Sequence, residues 1–432
     1  MKLSGWGRFP VIESKPLPLN SQTDFNNLVQ AHSPFIAYGN GRSYGDSALY
    51  EKHIPMQGLN RLLSFDGNSG LLTCEPGVLL YDIIKIFLPQ GWFLKVTPGT
   101  KLITVGGAIA SDVHGKNHHI EGCFSQCIES FDLLLPTGNI ITCSKTENLD
   151  WFHATCGGMG LTGVIIRISF YLKKVNSQWI NQTTIKTQNL AETFKAFESH
   201  AHSTYSVAWI DCLAKGKNLG RSLVMLGEFA NDNDLAYVPK KTTNVPVNLP
   251  DIALNHFTVG LFNQLYYRRV TQHKSVKKVG IDTFFYPLDA MRNWNRIYGH
   301  KGFIQYQFIL PKAAGLSGMT EILDKISKSA MGSFLAVLKL YGKGNDNWLS
   351  FPIEGYSLAL DFKMQPKLLP FIEELDFIVA KYHGKIYLAK DALVKKETFE
   401  LGYPKAHQFR QFRQQHALNK HFRSLQSVRL GL

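Results

Sequence analysis

Three glycine-rich loops in the N-terminal part of the chain constrain its fold more than any other feature. They are Gly39-Asn40-Gly41-Arg42-Ser43-Tyr44-Gly45-Asp46, then Thr104-Val105-Gly106-Gly107-Ala108-Ile109-Ala110-Ser111-Asp112-Val113-His114-Gly115, then Gly157-Gly158-Met159-Gly160-Leu161-Thr162-Gly163. Glycine lets backbone N–H groups approach a ligand closely, and runs of such N–H groups make anion cradles. Arg42 adds a positive charge to the first loop. Each loop sits at a strand end: Phe35-Ile36-Ala37-Tyr38 runs into the first, and a strand over 161–172 follows the third. A tight turn explains any one loop as well as a phosphate site does. Three in one domain point to backbone wrapped around one extended ligand. The first loop reads G-x-G-x-x-x-G, and no clear helix follows it, which disfavours a Rossmann dinucleotide site.

The 432 residues leave room for two domains, and 44% hydrophobic content supports a sizeable core. Lys plus Arg minus Asp plus Glu is 47 − 33 = +14, which favours anionic partners. No apolar run approaches the ~18 residues of a membrane span. Residues 1–7 carry no apolar segment of signal type, and the six cysteines are sparse, so a reduced, cytoplasmic setting is expected. His114 and His118 stand at i, i+4, and Cys123 and Cys127 likewise, with no further ligand at a metal spacing; no metal is expected.

Short helices alternate with strands up to about residue 175: a helical pattern over 78–88, a hairpin over 131–143. Aromatic, strand-like runs then dominate, at 206–210, 303–310, 334–341 and 356–362, so a domain boundary is placed near 177. Residues 230–280 hold Asn/Asp clusters and Pro239, Pro246 and Pro250, which predicts a long mobile excursion. Within it Arg268, Arg269, Lys274, Lys277 and Lys278 cluster without an acid beside Tyr266 and Tyr267. That pattern fits a solvated loop, an anionic membrane surface or single-stranded nucleic acid, the last without any fold signature in support. In the tail, Phe409, Phe412, His416, Leu418, Phe422, Leu425 and Val428 recur at helical steps, as in helices docked on a core.

Gln305 and Gln307 share one strand face, which suits sugar hydroxyls or is simply a polar sheet face. Lys339 and Tyr341 share another, and Lys339 could meet a phosphate. Lys390 in Tyr387-Leu388-Ala389-Lys390-Asp391 is either a half-buried base of lowered pKa or a solvated lysine paired with Asp391.

The three loops resemble the FAD domain of the vanillyl-alcohol-oxidase class of flavoproteins. Further segments resemble, more specifically, the decaprenylphosphoryl-β-D-ribose 2-oxidase family, the flavin subunits of decaprenylphosphoryl-ribose 2-epimerases. They are Trp6-Gly7-Arg8, Ala208-Trp209, Pro287-Leu288-Asp289, Trp294-Asn295-Arg296, Gly302-Phe303-Ile304-Gln305-Tyr306-Gln307-Phe308, Leu349-Ser350-Phe351-Pro352-Ile353 and the Lys390 segment. The resemblance implies an α+β, two-domain PCMH-type FAD-binding fold. Residues 1–177 plus 385–432 would bind FAD, and 178–384 would form an antiparallel-sheet substrate (cap) domain.

It implies FAD contacts at Ala37, Tyr38, Gly39, Asn40, Gly41, Arg42, Ser43, Tyr44, Gly45, Asp46, Ser47, Gly99, Thr104, Val105, Gly106, Gly107, Ser111, Asp112, Val113, His114, Ile165 and Tyr387. Tyr44 stands where many relatives carry the histidine that tethers flavin, so non-covalent FAD is expected. Lys390, His114 and Tyr44 would be the catalytic groups. Lys116, Trp209, Phe285, Gln305, Gln307, Lys339, Tyr341, Ser357, Ala359 and Lys390 would contact substrate. The implied activity is oxidation of the C2 hydroxyl of a polyprenylphosphoryl-β-D-ribose to the 2-keto sugar. A short-chain NAD(P)H-dependent reductase would complete epimerisation to the arabinose form, and a quinone or O2 would accept electrons. Peripheral contact with the inner face of an anionic plasma membrane is expected; nucleic acid is not. Oxidation of a free alditol or aldonolactone is the alternative activity, and a flavin-binding pseudoenzyme or basic binding module the alternative class. Ala359 stands where the family has a cysteine open to thiol-directed inhibitors, Phe285 where it has Tyr, Tyr341 where it has Phe, and Ala417-Leu418 where it has Asp-Pro.

Overall fold

The computed structural model describes residues 1–19, 22–250, 254–329 and 331–432. Its largest element is an eight-stranded antiparallel sheet. The order is Lys274–Gly280, Trp179–Thr187, Ser222–Phe229, Tyr205–Ile210, Ala336–Tyr341, Gly355–Lys363, Phe303–Pro311 and Lys385–Ile386. Its central strands are nearly continuously buried: Phe303–Pro311 is enclosed except at Pro311. Such a strand needs cover on both faces. Helices Leu190–Ser199, Gly315–Ser329 and Leu368–Lys381 lay apolar residues such as Phe197, Ile322 and Leu375 on one face. The other face looks toward the N-terminal part of the chain.

That part holds an antiparallel sheet in the order Ile140–Ser144, Ile128–Leu134, Val164–Lys174, Leu71–Cys74, Leu62–Asp66, with Trp92–Leu94 also paired to Val164–Lys174. The hairpin read in the sequence is present, with Ile140 opposite Leu134 and Cys143 opposite Phe131. A parallel three-stranded sheet (Lys15–Pro16, Lys52–Pro55, Ile36–Tyr38) delivers the first glycine loop at the end of Ile36–Tyr38. Thr104 caps the short helix Val105–Ala110 by accepting from Gly107 N–H (3.1 Å), which shapes the second loop.

Two polar clusters fix these parts to each other. Asp112 is fully buried in the left-handed region (φ 39°). Its carboxylate accepts from the Ser125 N–H, Asn345 Nδ2, Asn347 Nδ2 and Ser350 Oγ, at 2.7–3.1 Å. It thereby ties the His114 loop to the segment that follows Ala336–Tyr341. Arg429, in the helix Leu425–Leu430, donates to both Asp46 and Asp391 at 2.8 Å. One guanidinium so clamps the first glycine loop to the segment carrying Lys390.

The expectation of a mobile excursion over 230–280 is corrected. It contains helix His256–Arg268, capped by Asn255, and Lys274–Gly280, an edge strand of the large sheet. The helix has apolar residues on both faces, which hid its period, and the strand is lysine-rich because one side meets solvent. The tail is helical as expected, and Phe409, Phe412, Leu418 and Phe422 are buried, but His416 and Val428 face solvent.

Replacing Asp112 with Ala should leave three buried donors and a partly buried one without their acceptor and destabilise the protein by about 3 kcal/mol. Urea unfolding of the two proteins checks this, and Asp112→Asn should cost less.

Candidate active site

A cavity of ≈ 370 Å³ opens between the large sheet and the glycine loops. Its walls come from the first loop, from 97–116, from helix residue Tyr266, from 285–289, from the sheet strands and from 387–390. Strand alternation decides which sheet residues reach it. Gln305 and Gln307 lie opposite Asp361 and Ala359, and Ala359 and Ser357 lie opposite Val337 and Lys339. One face of three adjacent strands therefore presents two amides, a carboxylate and an ammonium together.

The charge lining the cavity is unbalanced. Among the described residues, Arg42, Lys116, Lys339 and Lys390 face it, against the single carboxylate of Asp289. Burial pulls Lys390 down to about 7, with Lys339 adding to the fall and the field of Asp361 opposing it. Burial likewise lowers Lys339 to about 8, and Lys116 to about 7 with help from Lys339. Asp361 lies behind the lining, 1% exposed, and accepts from Gln305 Nε2 (2.7 Å) and Tyr298 Oη (3.1 Å). Burial pushes it up to about 7 despite those bonds and Lys390. Lys390 does not pair with Asp391, which is taken by Arg429; its ammonium lies 4.0 Å from the centroid of the Tyr44 ring. Among the described residues, the Lys390 and Lys339 ammoniums have no hydrogen-bond acceptor.

His114 is ringed by Tyr387, Tyr341 and Phe351 at 4.9–5.6 Å. Burial first, then Lys339, His118 and Lys390, drive its pKa far below the usual imidazole value, so it is neutral. Gln307 Nε2 donates to His114 Nε2 (3.2 Å), which leaves the ring proton on Nδ1, a buried atom with no partner. Arg42 stacks on Trp6 (4.1 Å), and its buried Nε is also unpartnered. Asp289 accepts from Thr100 Oγ1 (2.8 Å) and the Lys101 N–H (2.9 Å), holding the 97–101 segment at the cavity edge.

These features test the fit of FAD. The cradle is empty of side chains: Gly99 borders the cavity, and a Cβ there would meet no atom within 4 Å. Gly41 adopts φ +59°, and a Cβ on it would strike Tyr38 Oη; one on Gly39 would lie 2.7 Å from Thr104 Oγ1. Unpartnered Arg42 Nε and His114 Nδ1–H are donors awaiting acceptors. The residues present fit the group.

Most residues implied by the resemblance converge here. Ala37, Gly39 to Tyr44, Ser47, Gly99, Thr104, Gly106, Gly107, Ser111, Val113, His114, Ile165 and Tyr387 line the cavity, as do Lys116, Trp209, Phe285, Gln305, Gln307, Lys339, Ala359 and Lys390. Seven do not. Tyr38 donates to Ser4 O, Gly45 abuts Asp391 O, Asp46 is held by Arg429, Val105 is core and Asp112 is the buried acceptor described above. Tyr341 packs behind His114, and Ser357 behind Gln307. These side chains shape the wall rather than form it. Missed lining residues include Trp6, Tyr266, Asp289 and Val337. Val337 follows from the strand period through Lys339; Tyr266 was out of reach once its helix was read as loop. No group of three His, Cys, Asp or Glu suited to a metal occurs among the described residues.

Residues 25–144 match the family described as FAD binding domain. The fold and the cradle define an FAD-dependent oxidoreductase of PCMH type. Over 427 residues the chain is 36% identical to decaprenylphosphoryl-β-D-ribose oxidase of Mycolicibacterium smegmatis, covering 94% of this chain and 92% of that one. The chain belongs to the decaprenylphosphoryl-β-D-ribose oxidase family. It is also 30% identical to the L-gulonolactone oxidase of Bos taurus, over 38% of this chain and 36% of that one, and 29% identical to the D-lactate dehydrogenase of Anaerostipes hadrus, over 27% and 26%.

Gly99→Leu should fill the cradle without disturbing the fold. The purified variant should show unchanged circular dichroism and lose bound flavin absorbance.

Proposed function

We propose that the protein oxidises the C2 hydroxyl of a polyprenylphosphoryl-β-D-ribose to the 2-keto sugar. The observation that carries this reading is that, among the described residues, four cations line the cavity against one carboxylate, beside a paired amide face. Buried cations in such excess call for an anionic ligand. Arg42 with the N–H groups of the first and second loops would hold the pyrophosphate of FAD. Lys339 and Lys116 would then serve the sugar phosphate, and Gln305 and Gln307 the sugar hydroxyls. The likeness to the M. smegmatis oxidase over nearly the whole chain supports the same substrate class.

FAD, when bound, supplies the acceptor for the hydrogen on the carbinol carbon. The remaining work belongs to side chains. An alcohol losing that hydrogen must also lose its hydroxyl proton, and a general base serves best with a pKa near the working pH. Lys390, drawn down to about 7, is such a base. Neutral His114 can hold the oxygen through Nδ1–H without adding charge. Tyr44, under the Lys390 ammonium, fixes the direction of that amine. It also stands where a tether would be, so flavin is held non-covalently and acid precipitation should release it to the supernatant. A short-chain NAD(P)H-dependent reductase would convert the keto sugar to the arabinose form, and a quinone or O2 would take the electrons onward.

The decisive experiment is an anaerobic absorbance spectrum before and after adding a short-chain prenylphosphoryl-ribose. The flavin band should bleach. A band that stays oxidised with this compound and bleaches with a free alditol or aldonolactone would overturn the proposal in favour of the alternative substrate class. Lys390→Ala should keep bound flavin and lose turnover by at least ~100-fold. Because Lys390 works as the free amine, flavin reduction should slow as pH falls through about 7. The Asp361 carboxylate raises the Lys390 pKa. Asp361→Asn should therefore move that acidic limb to lower pH, as stopped-flow rates across pH would show.

A further inference from the structure

Most exposed large apolar residues of this protein stand singly. Helix His256–Arg268 is the exception. Phe257, Leu261 and Leu265, one turn apart, are 77%, 52% and 61% exposed, and Phe262 is 42% exposed. At 100° per residue these four span one arc of the helix, which Arg268 and Arg269 share at its C-terminal end.

The opposite side of the helix is fixed by polar contacts. Asn263 Nδ2 donates to Asp211 (2.9 Å), Tyr267 Oη donates to Thr187 O (2.9 Å), and Arg221 reaches Gln264 (2.9 Å). Val259 packs beneath. The helix cannot turn its outward leucines into the core without breaking these bonds. Nothing within the described residues covers that face.

Two observations say what covers it. The first is charge. Arg268 and Arg269 border the apolar arc at its C-terminal end, Lys274 and Lys277 follow on the edge strand Lys274–Gly280, and among the described residues none of the four forms a salt bridge. Val276, 67% exposed, stands between the lysines. A face of leucine and phenylalanine that ends in cations without acidic partners, of which Arg269 also stacks on Tyr266 (3.6 Å), matches an anionic bilayer surface, with acyl chains below and negative headgroups around. The second is continuity with the cavity. Tyr266 lines the cavity, packs on the lining residue Trp209 (4.7 Å) and stacks on Phe262 (5.6 Å). An unbroken aromatic path therefore runs from the active site to the exposed face.

We infer that helix His256–Arg268 is an interfacial membrane helix that seats the mouth of the active-site cavity on an anionic bilayer. Its apolar arc enters the headgroup–acyl boundary while the arginines and lysines meet lipid phosphates. The bound lipid is the occupant of this face whatever the substrate; that a prenyl tail passes along Tyr266 and Phe262 rests on the function proposed above.

Flotation of the flavin-loaded protein with two vesicle compositions tests it. Phosphatidylcholine vesicles containing a quarter phosphatidylglycerol should carry the protein upward, and pure phosphatidylcholine vesicles should carry much less. Leu261→Glu combined with Leu265→Glu should lower binding to the anionic vesicles at least tenfold with unchanged flavin content and circular dichroism. Phe262→Trp should give a blue-shifted emission on vesicles that brominated lipid quenches. Wild-type protein that stays below the anionic vesicles would overturn the inference. So would a double variant that floats as well as wild type, or one that only converts a dimer to a monomer in light scattering, which would make the face a protein contact. No substrate is present in these assays, so their failure leaves the substrate assignment standing, and failure of the spectral experiment leaves them standing.

Discussion

Among the described residues, four cations and one carboxylate share the lining of one low-dielectric cavity, and the rest of the site follows from that imbalance. Unpaired charge is costly to bury, and proteins answer by moving protons. Lys390 and Lys116 are brought to about 7 and Lys339 to about 8, while Asp361 rises to about 7 behind them. Burial, aided by Lys339, His118 and Lys390, keeps His114 neutral, so it can donate from Nδ1 without repelling the lysines.

Such a cavity must be held open by something other than its own charges. The holding is done at two distant points by fully satisfied carboxylates. Asp112 gathers four donors from two parts of the chain, and Asp46 and Asp391 share Arg429. Both clusters lie outside the cavity, next to the loops that line it. Geometry is thus set by groups whose own bonding is complete, while Arg42 Nε and His114 Nδ1, left without partners, belong to residues that line the cavity.

Much of this was legible in the sequence. The three glycine loops announced a backbone cradle, and strand alternation put Gln305 and Gln307 on one face. Lys390 was ambiguous, because nothing local shows that Asp391 is taken by Arg429, a residue 38 positions away. The family resemblance implies flavin contacts at Asp46 and Asp112; only tertiary structure shows their carboxylates turned to structural partners. The helix His256–Arg268 was hidden for a physical reason. A helix reads as amphipathic when one side is polar, and here the core side carries Val259, Tyr266 and Tyr267 while the outer side carries Phe257, Leu261 and Leu265.

The walls of the cavity come from Trp6 at one end of the sequence to Lys390 near the other, with contributions from at least five separate strands and loops between them. No short fragment of the chain contains all of that surface. Cofactor capture therefore favours the completed tertiary structure, and its free energy adds to the native side of the unfolding equilibrium. The colour of the protein becomes a gauge of global integrity: a yellow molecule is one whose whole chain has closed, wherever along it a mutation lies.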